Sequence, residues 1–213
     1  MHNHDRIYIP YVQARPLIKE CDLLLYRGDA WYSWFIKKIT RGEYSHVGLA
    51  SWHNGDQGLL ETIEFHGYRG GGATIQMSNL FPKFTKQIDV YRPAHIREDS
   101  KYYPETNDVR TKDVHLCPKS VTRTMRGLTG LPYGWRRLWW FFKTYALFSR
   151  YFYNMEDLTS DEIKDIIYPV CSTAIAYCFA KNNFDLLHEK SDEWTQPCDI
   201  AQSPLTNYLF TLV

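Results

Sequence analysis

Two runs of strand-forming residues, 46–52 and 59–65, flank His53-Asn54-Gly55-Asp56-Gln57-Gly58, and this pattern constrains the chain more than any other. The linking residues are turn formers, so the two runs read as an antiparallel hairpin. Side chains alternate along a strand, which puts His46, Gly48, Ala50 and Trp52 on one face. Gly48 and Ala50 are small and leave room on that face for another backbone. With a four-residue loop over 53–56, His46 stands opposite Ile63, and Glu61 is its diagonal neighbour at about 7–8 Å. Glu61 lies among Leu59, Ile63 and Phe65, where a buried carboxylate needs a partner. Glu64 shares its face with Thr62 and reads as solvated. A slip of one residue exchanges the two carboxylates, because every side chain then changes face.

The rest of the chain supplies further strands and a few helices. Residues 21–26 read as a short buried strand, and residues 30–40 as an aromatic-rich helix stopped by Gly42. Strands near 74–77 and 87–91 extend the hairpin into an antiparallel sheet. The polar stretch at about 95–118 carries two prolines and reads as a loop or small insertion. Residues 120–129 form a helix ended by Gly130, and residues 171–184 form another, with Ala174, Ile175, Cys178 and Phe179 on one face. The order implies a single α+β domain over residues 1–213, an antiparallel sheet packed against helices.

Composition excludes several classes. Twenty-five Lys and Arg against 24 Asp and Glu give a net charge of +1, so no nucleic-acid footprint is present. Five scattered cysteines, without a CxxC pair, argue against a disulfide framework or a zinc ribbon. Met1-His2-Asn3-His4-Asp5-Arg6 lacks the basic-then-apolar order of a signal peptide, and no long uncharged apolar run is present. The expected setting is cytoplasmic and reducing.

Cys171 falls where the 171–184 helix begins, after Tyr168-Pro169-Val170. A base (His46), a carboxylate to orient it (Glu61) and a thiol at a helix N-terminus are the parts of a cysteine nucleophile site. The order His, Glu, Cys is the reverse of papain's, so such a fold must be circularly permuted. Each residue also has a plainer reading. A strand histidine is commonly a hydrogen-bonded structural group, a helix-start cysteine a small apolar residue, and Glu61 a sheet-edge charge. Cys21, Cys117, Cys178 and Cys198 read as structural.

In combination, Ser45-His46-Val47-Gly48, a strand Glu fifteen residues on, Gly130-Leu131-Pro132-Tyr133 and Cys171-Ser172 opening an apolar helix resemble the YiiX-type permuted papain-fold amidases. These are relatives of the NlpC-type cell-wall peptidases. The resemblance runs from about Cys21 to Phe179, with a fainter echo at 197–204. It implies a permuted papain-like fold in which His46 is the base, Glu61 its partner and Cys171 the nucleophile. Tyr133 matches a family tyrosine near the thiol, and Tyr44 joins it as a substrate contact. The chain departs from the family at Cys21, where a glycine often precedes the strand Asp, and in the long aromatic segment between Tyr133 and Cys171.

The expected reaction is cleavage of an amide bond through a thioacyl-enzyme, with no cofactor and no metal, on a small peptide, amide or acyl substrate. The aromatic segment, about 135–168, reads as a helical insertion whose Trp139 and Phe142 line the cleft. Residues 135–153 also suit a core helix, or a peripheral membrane or lipid contact. Three alternatives stand beside this reading. An acyltransferase or thioesterase would use the same thiol on a lipid-like acyl group. An inactive binding module would keep only the fold. A metal hydrolase would use His46, Glu61 and Cys171 as zinc ligands.

Overall fold

The computed structural model describes residues 6–28, 37, 42–53, 58–66, 70–81, 87–94, 116–134, 170–187, 192 and 195–213. Apart from Lys37, the expected 30–40 helix lies outside them. So do residues 95–115 of the polar stretch and the aromatic segment with Trp139 and Phe142.

Seven strands form one sheet: β1 (Tyr8–Ile9), β2 (Leu23–Tyr26), β3 (His46–His53), β4 (Leu59–His66), β5 (Gly71–Gln76), β6 (Ile88–Pro93) and β7 (Thr206–Leu212). Their spatial order is β1-β7-β6-β2-β3-β4-β5. The sheet is mixed rather than antiparallel, since β1 runs parallel to β7 while every other pairing is antiparallel. Strands β1 and β7 bring the two ends of the described chain together at one edge, a pairing between distant segments that no local pattern marks. Among the described residues the α-helices are α1 (Tyr11–Ala14), α2 (Pro118–Gly127), α3 (Cys171–Ala180) and α4 (Pro197–Gln202). Helix α2 starts inside the stretch expected as loop, because Pro118 suits a first-turn position where no N–H is needed. None of the described helices is long and apolar enough to cross a membrane.

Both faces of the sheet are covered, which is the fact that reorganises the site. On one face, Leu23, Leu25, Val47, Leu49, Ile63 and Phe65 pack under α2, α3 and α4. On the other, Leu24, Tyr26, Ala50, Trp52 and Leu60 pack with Ala14 and Ile18 from the N-terminal segment, Met77 and Phe210. Side chains alternate, so both the odd and the even positions of β3 and β4 are in core. The hairpin's even face, read from sequence as partly solvated, is therefore as dry as the odd one. Helix α3 lies on the odd face, not over Gly48 and Ala50 as expected.

Two backbone details place the loops. Gly71 has φ +142°, and a Cβ there would fall 1.9 Å from the Leu131 carbonyl oxygen. That close approach, with the Gly72 N–H donating to Leu131 O at 3.0 Å, fastens the Leu131-Pro132-Tyr133 segment to β5. Cys21, standing where the resembling family often has glycine, has φ +70°. It keeps the left-handed backbone with a side chain attached, at a local cost of about 1–2 kcal/mol.

Candidate active site

Cys171 is the first residue of α3, and its side chain is buried in the odd-face core at 7 % exposure. The preceding Val170 is extended, so the chain turns sharply into the helix. The Thr173 hydroxyl closes that turn by accepting from the Val170 N–H at 3.0 Å. Ser172 is held by its hydroxyl, which donates to Thr195 O at 2.6 Å. These bonds hold the start of the helix, where unpaired backbone N–H groups favour negative charge. The N–H groups of Val47 and Ser172 donate to the Cys171 sulfur.

His46 opens β3. At this terminal position its ring meets the thiol of the odd-face helix and also a carboxylate from the even face. The carboxylate is Glu64, whose Oε2 lies 3.0 Å from His46 Nε2. With Nε2 committed to Glu64, Nδ1 is the nitrogen left for Cys171, with which the imidazole is hydrogen-bonded. Glu64 is 1 % exposed. An unpaired carboxylate that deep would cost several kcal/mol, and four partners prevent it. His66 Nε2 shares Oε2 with His46, while Oε1 accepts from the Tyr26 hydroxyl and from the Thr62 hydroxyl at 2.7 Å.

Three linked shifts follow. Burial pushes Glu64 up, but the bonds and charges of His46 and His66 outweigh it and hold the carboxyl well below its usual range. Burial pushes His46 down, but the Cys171 thiolate and then Glu64 outweigh it and raise the imidazole to about 10. Burial pushes Cys171 up, and the His46 imidazolium outweighs it and lowers the thiol. All three favour a thiolate–imidazolium pair at neutral pH.

The expected third member, Glu61, is not there. The strands pair Ser51 with Glu61 and His53 with Leu59, so residues 54–58 make the connection instead of a four-residue loop. The same register carried along β3 sets Gly48 opposite Glu64, and Glu61 changes face. Glu61 lies some five strand positions from His46, about 16 Å along β3. Its Oε2 accepts from Arg126 of α2 at 2.6 Å. The zinc-ligand set His46, Glu61 and Cys171 is likewise not assembled. Gly48 also has a different role from the one read in the sequence. A Cβ on it would fall 2.5 Å from Thr62 Oγ1 and 2.7 Å from Glu64 Cγ, so the missing side chain makes room for Glu64.

Tyr44, expected to touch substrate, is 6 % exposed, and its hydroxyl donates to the buried Asp89 at 2.6 Å. Asp89 also takes Arg27 and the Thr211 hydroxyl, so Tyr44 ties the approach to β3 into a buried polar knot. Tyr133 is half-buried and packs on the core that holds Cys171. Trp139 and Phe142 lie outside the described residues. Sequence reasoning missed His66, Tyr26 and Thr62 altogether. The period-two spacing of Thr62, Glu64 and His66, facing Gly48 across the hairpin, was the available signal.

Gly48→Ala is a direct test of the Glu64 arrangement. Overpacking there should cost about 1–3 kcal/mol and push Glu64 away from His46. The expected result is a lower melting temperature together with at least about tenfold slower alkylation of Cys171. An unchanged alkylation rate would show that the imidazole does not depend on Glu64.

No family model matches the chain, and no curated protein sequence matches it. Among solved structures, the chain is similar to the crystal structure of metalloprotein yiiX from Escherichia coli O157:H7. The match has a TM-score of 0.54 at 12 % identity and covers 90 % of this chain and 96 % of that one. At that identity the likeness is one of fold, an α+β arrangement of the yiiX kind.

Proposed function

We propose that this protein is a cysteine hydrolase of permuted papain-like fold, cleaving an amide bond through a thioacyl-enzyme with Cys171 as nucleophile, His46 as acid–base and Glu64 as orienting group. The observation that carries it is the unbroken chain from a helix-start thiol, through an imidazole, to a fully partnered buried carboxylate. The yiiX-like fold supports the reading without assigning an activity.

The chemistry follows from the atoms. Thiolate Sγ attacks the carbonyl carbon, and the carbon–oxygen π bond becomes an oxyanion near the α3 N-terminus, where the Cys171 N–H is the natural donor. His46 Nδ1–H then protonates the departing nitrogen as the C–N bond breaks, leaving a thioester and a neutral imidazole. Water gives a proton to His46 and attacks the thioester, releasing the acid and restoring the ion pair. Glu64 accepts from Nε2–H throughout, which keeps the reactive nitrogen on the thiol side.

Incubating the protein with a set of acyl amides and acyl esters, then trapping and digesting it for mass spectrometry, tests this reading. An acyl adduct on Cys171, formed before product and lost on Cys171→Ala, is the expected outcome. Product formed equally by Cys171→Ala would refute a thiol mechanism. Transfer of the trapped acyl group to an added amine in preference to water would favour the acyltransferase alternative.

A further inference from the structure

The His46–Glu64 contact has a third participant that the hydrolytic reading does not use. Glu64 and His66 are two residues apart on β4 and therefore share a face. His46 reaches the same point from β3, and the two imidazoles stack with centroids 4.5 Å apart and planes at 26°. One ligand atom from each of His46, Glu64 and His66 lies within 4.8 Å of the other two. The side chains of His46 and His66 are 17 % and 12 % exposed, so the point of convergence is sheltered.

We propose that His46, Glu64 and His66 form a binding site for one divalent transition-metal ion of the zinc type. The donor set decides the class of ion. Two imidazoles and one carboxylate suit zinc, cobalt or nickel, whereas magnesium and calcium prefer oxygen alone. Around such an ion, at bonds of about 2.0–2.2 Å, neighbouring donors stand about 3.3–3.5 Å apart. The His46–Glu64 pair, at 3.0 Å, is already near that spacing, and all three donors lie within 4.8 Å of one another. Glu64 is already oriented for it. The Tyr26 and Thr62 hydroxyls hold Oε1, which leaves Oε2 turned toward both imidazoles. Such outer contacts are what fix a metal-binding carboxylate in place.

Cys171 is not needed as a ligand, because its sulfur meets the other ring nitrogen of His46, Nδ1.

Full-length protein freed of metal with a chelator and titrated with cobalt(II) or zinc(II) tests the site. One equivalent should bind, with zinc X-ray absorption fitted by two imidazoles and a carboxylate and no sulfur. His66→Gln should weaken binding at least tenfold, while Cys171→Ala should bind as the parent does. Sulfur in the zinc shell, or binding undiminished in His66→Gln, overturns the site.

Discussion

Glu64→Gln should lower turnover, and alkylation of Cys171, on the order of 10³–10⁴-fold, while Glu61→Gln should change either by less than about threefold. The asymmetry comes from the partners of each carboxylate. Glu64 accepts hydrogen bonds from Tyr26, Thr62 and His46 and pairs with the His66 ring, and as a carboxylate it has nothing to donate. A glutamine there has one accepting end and one donating end. If its amide oxygen takes the Tyr26 and Thr62 hydroxyls, its NH₂ group faces the imidazoles. His46 Nε2 must then accept, its proton moves to Nδ1, and the nitrogen facing the thiol can no longer take a proton. The charge that stabilises the imidazolium is lost as well. Glu61 instead meets Arg126, with both side chains partly exposed, and such pairs contribute about 0–1 kcal/mol. Measuring kcat and alkylation rate alongside the melting temperature separates the two effects. Equal losses for the two variants, scaling with melting temperature, would remove Glu64 from the mechanism.

In metal-free protein, Cys171 should be carboxamidomethylated at pH 6 at least about 100-fold faster than Cys178. Its rate should be nearly flat from pH 6 to pH 8. The His46 charge lowers the Cys171 thiol, and the imidazole itself holds its proton up to about 10, so the ion pair persists across neutral pH. An ordinary thiol would instead gain about tenfold in rate per pH unit until near pH 8.5. Cys178 is pushed up to about 12 by burial and by the Asp192 charge, and it packs against Met125 Sδ at 3.6 Å. At pH 6 only about one molecule in 10⁶ carries its thiolate. Burial likewise raises Cys21 and Cys198. His46→Ala should abolish the flat profile by returning Cys171 to a raised thiol. A Cys171 rate that climbs tenfold per unit between pH 6 and 8 in the parent would mean that no ion pair forms.

How much of this was legible in the sequence depends on the range of the interaction concerned. The hairpin of β3 and β4 was legible because alternation and turn residues act over a few positions, and the strand His46–His53 matches the expectation closely. Helix α3 with Cys171 at its start was legible for the same reason, through its apolar periodicity after a proline. Gly48 carried the information about its own surroundings but was assigned the wrong neighbour. Its space belongs to Glu64 and not to a helix.

The choice between Glu61 and Glu64 lay beyond any local pattern. It turns on an odd shift of register, set by the length of the β3–β4 connection, and such a shift exchanges the faces of every residue in the strand. Apolarity could not settle it, since the N-terminal segment, Met77 and β7 bury the even face as thoroughly as the helices bury the odd one. The sequence by itself determined the kinds of groups present and the short elements that carry them: an imidazole at a strand end, a thiol at a helix start, and carboxylates on the partner strand. Only the tertiary structure decided which carboxylate meets the imidazole, and that His66 joins them, because both depend on the register of β3 against β4 and on the burial of both faces of the sheet.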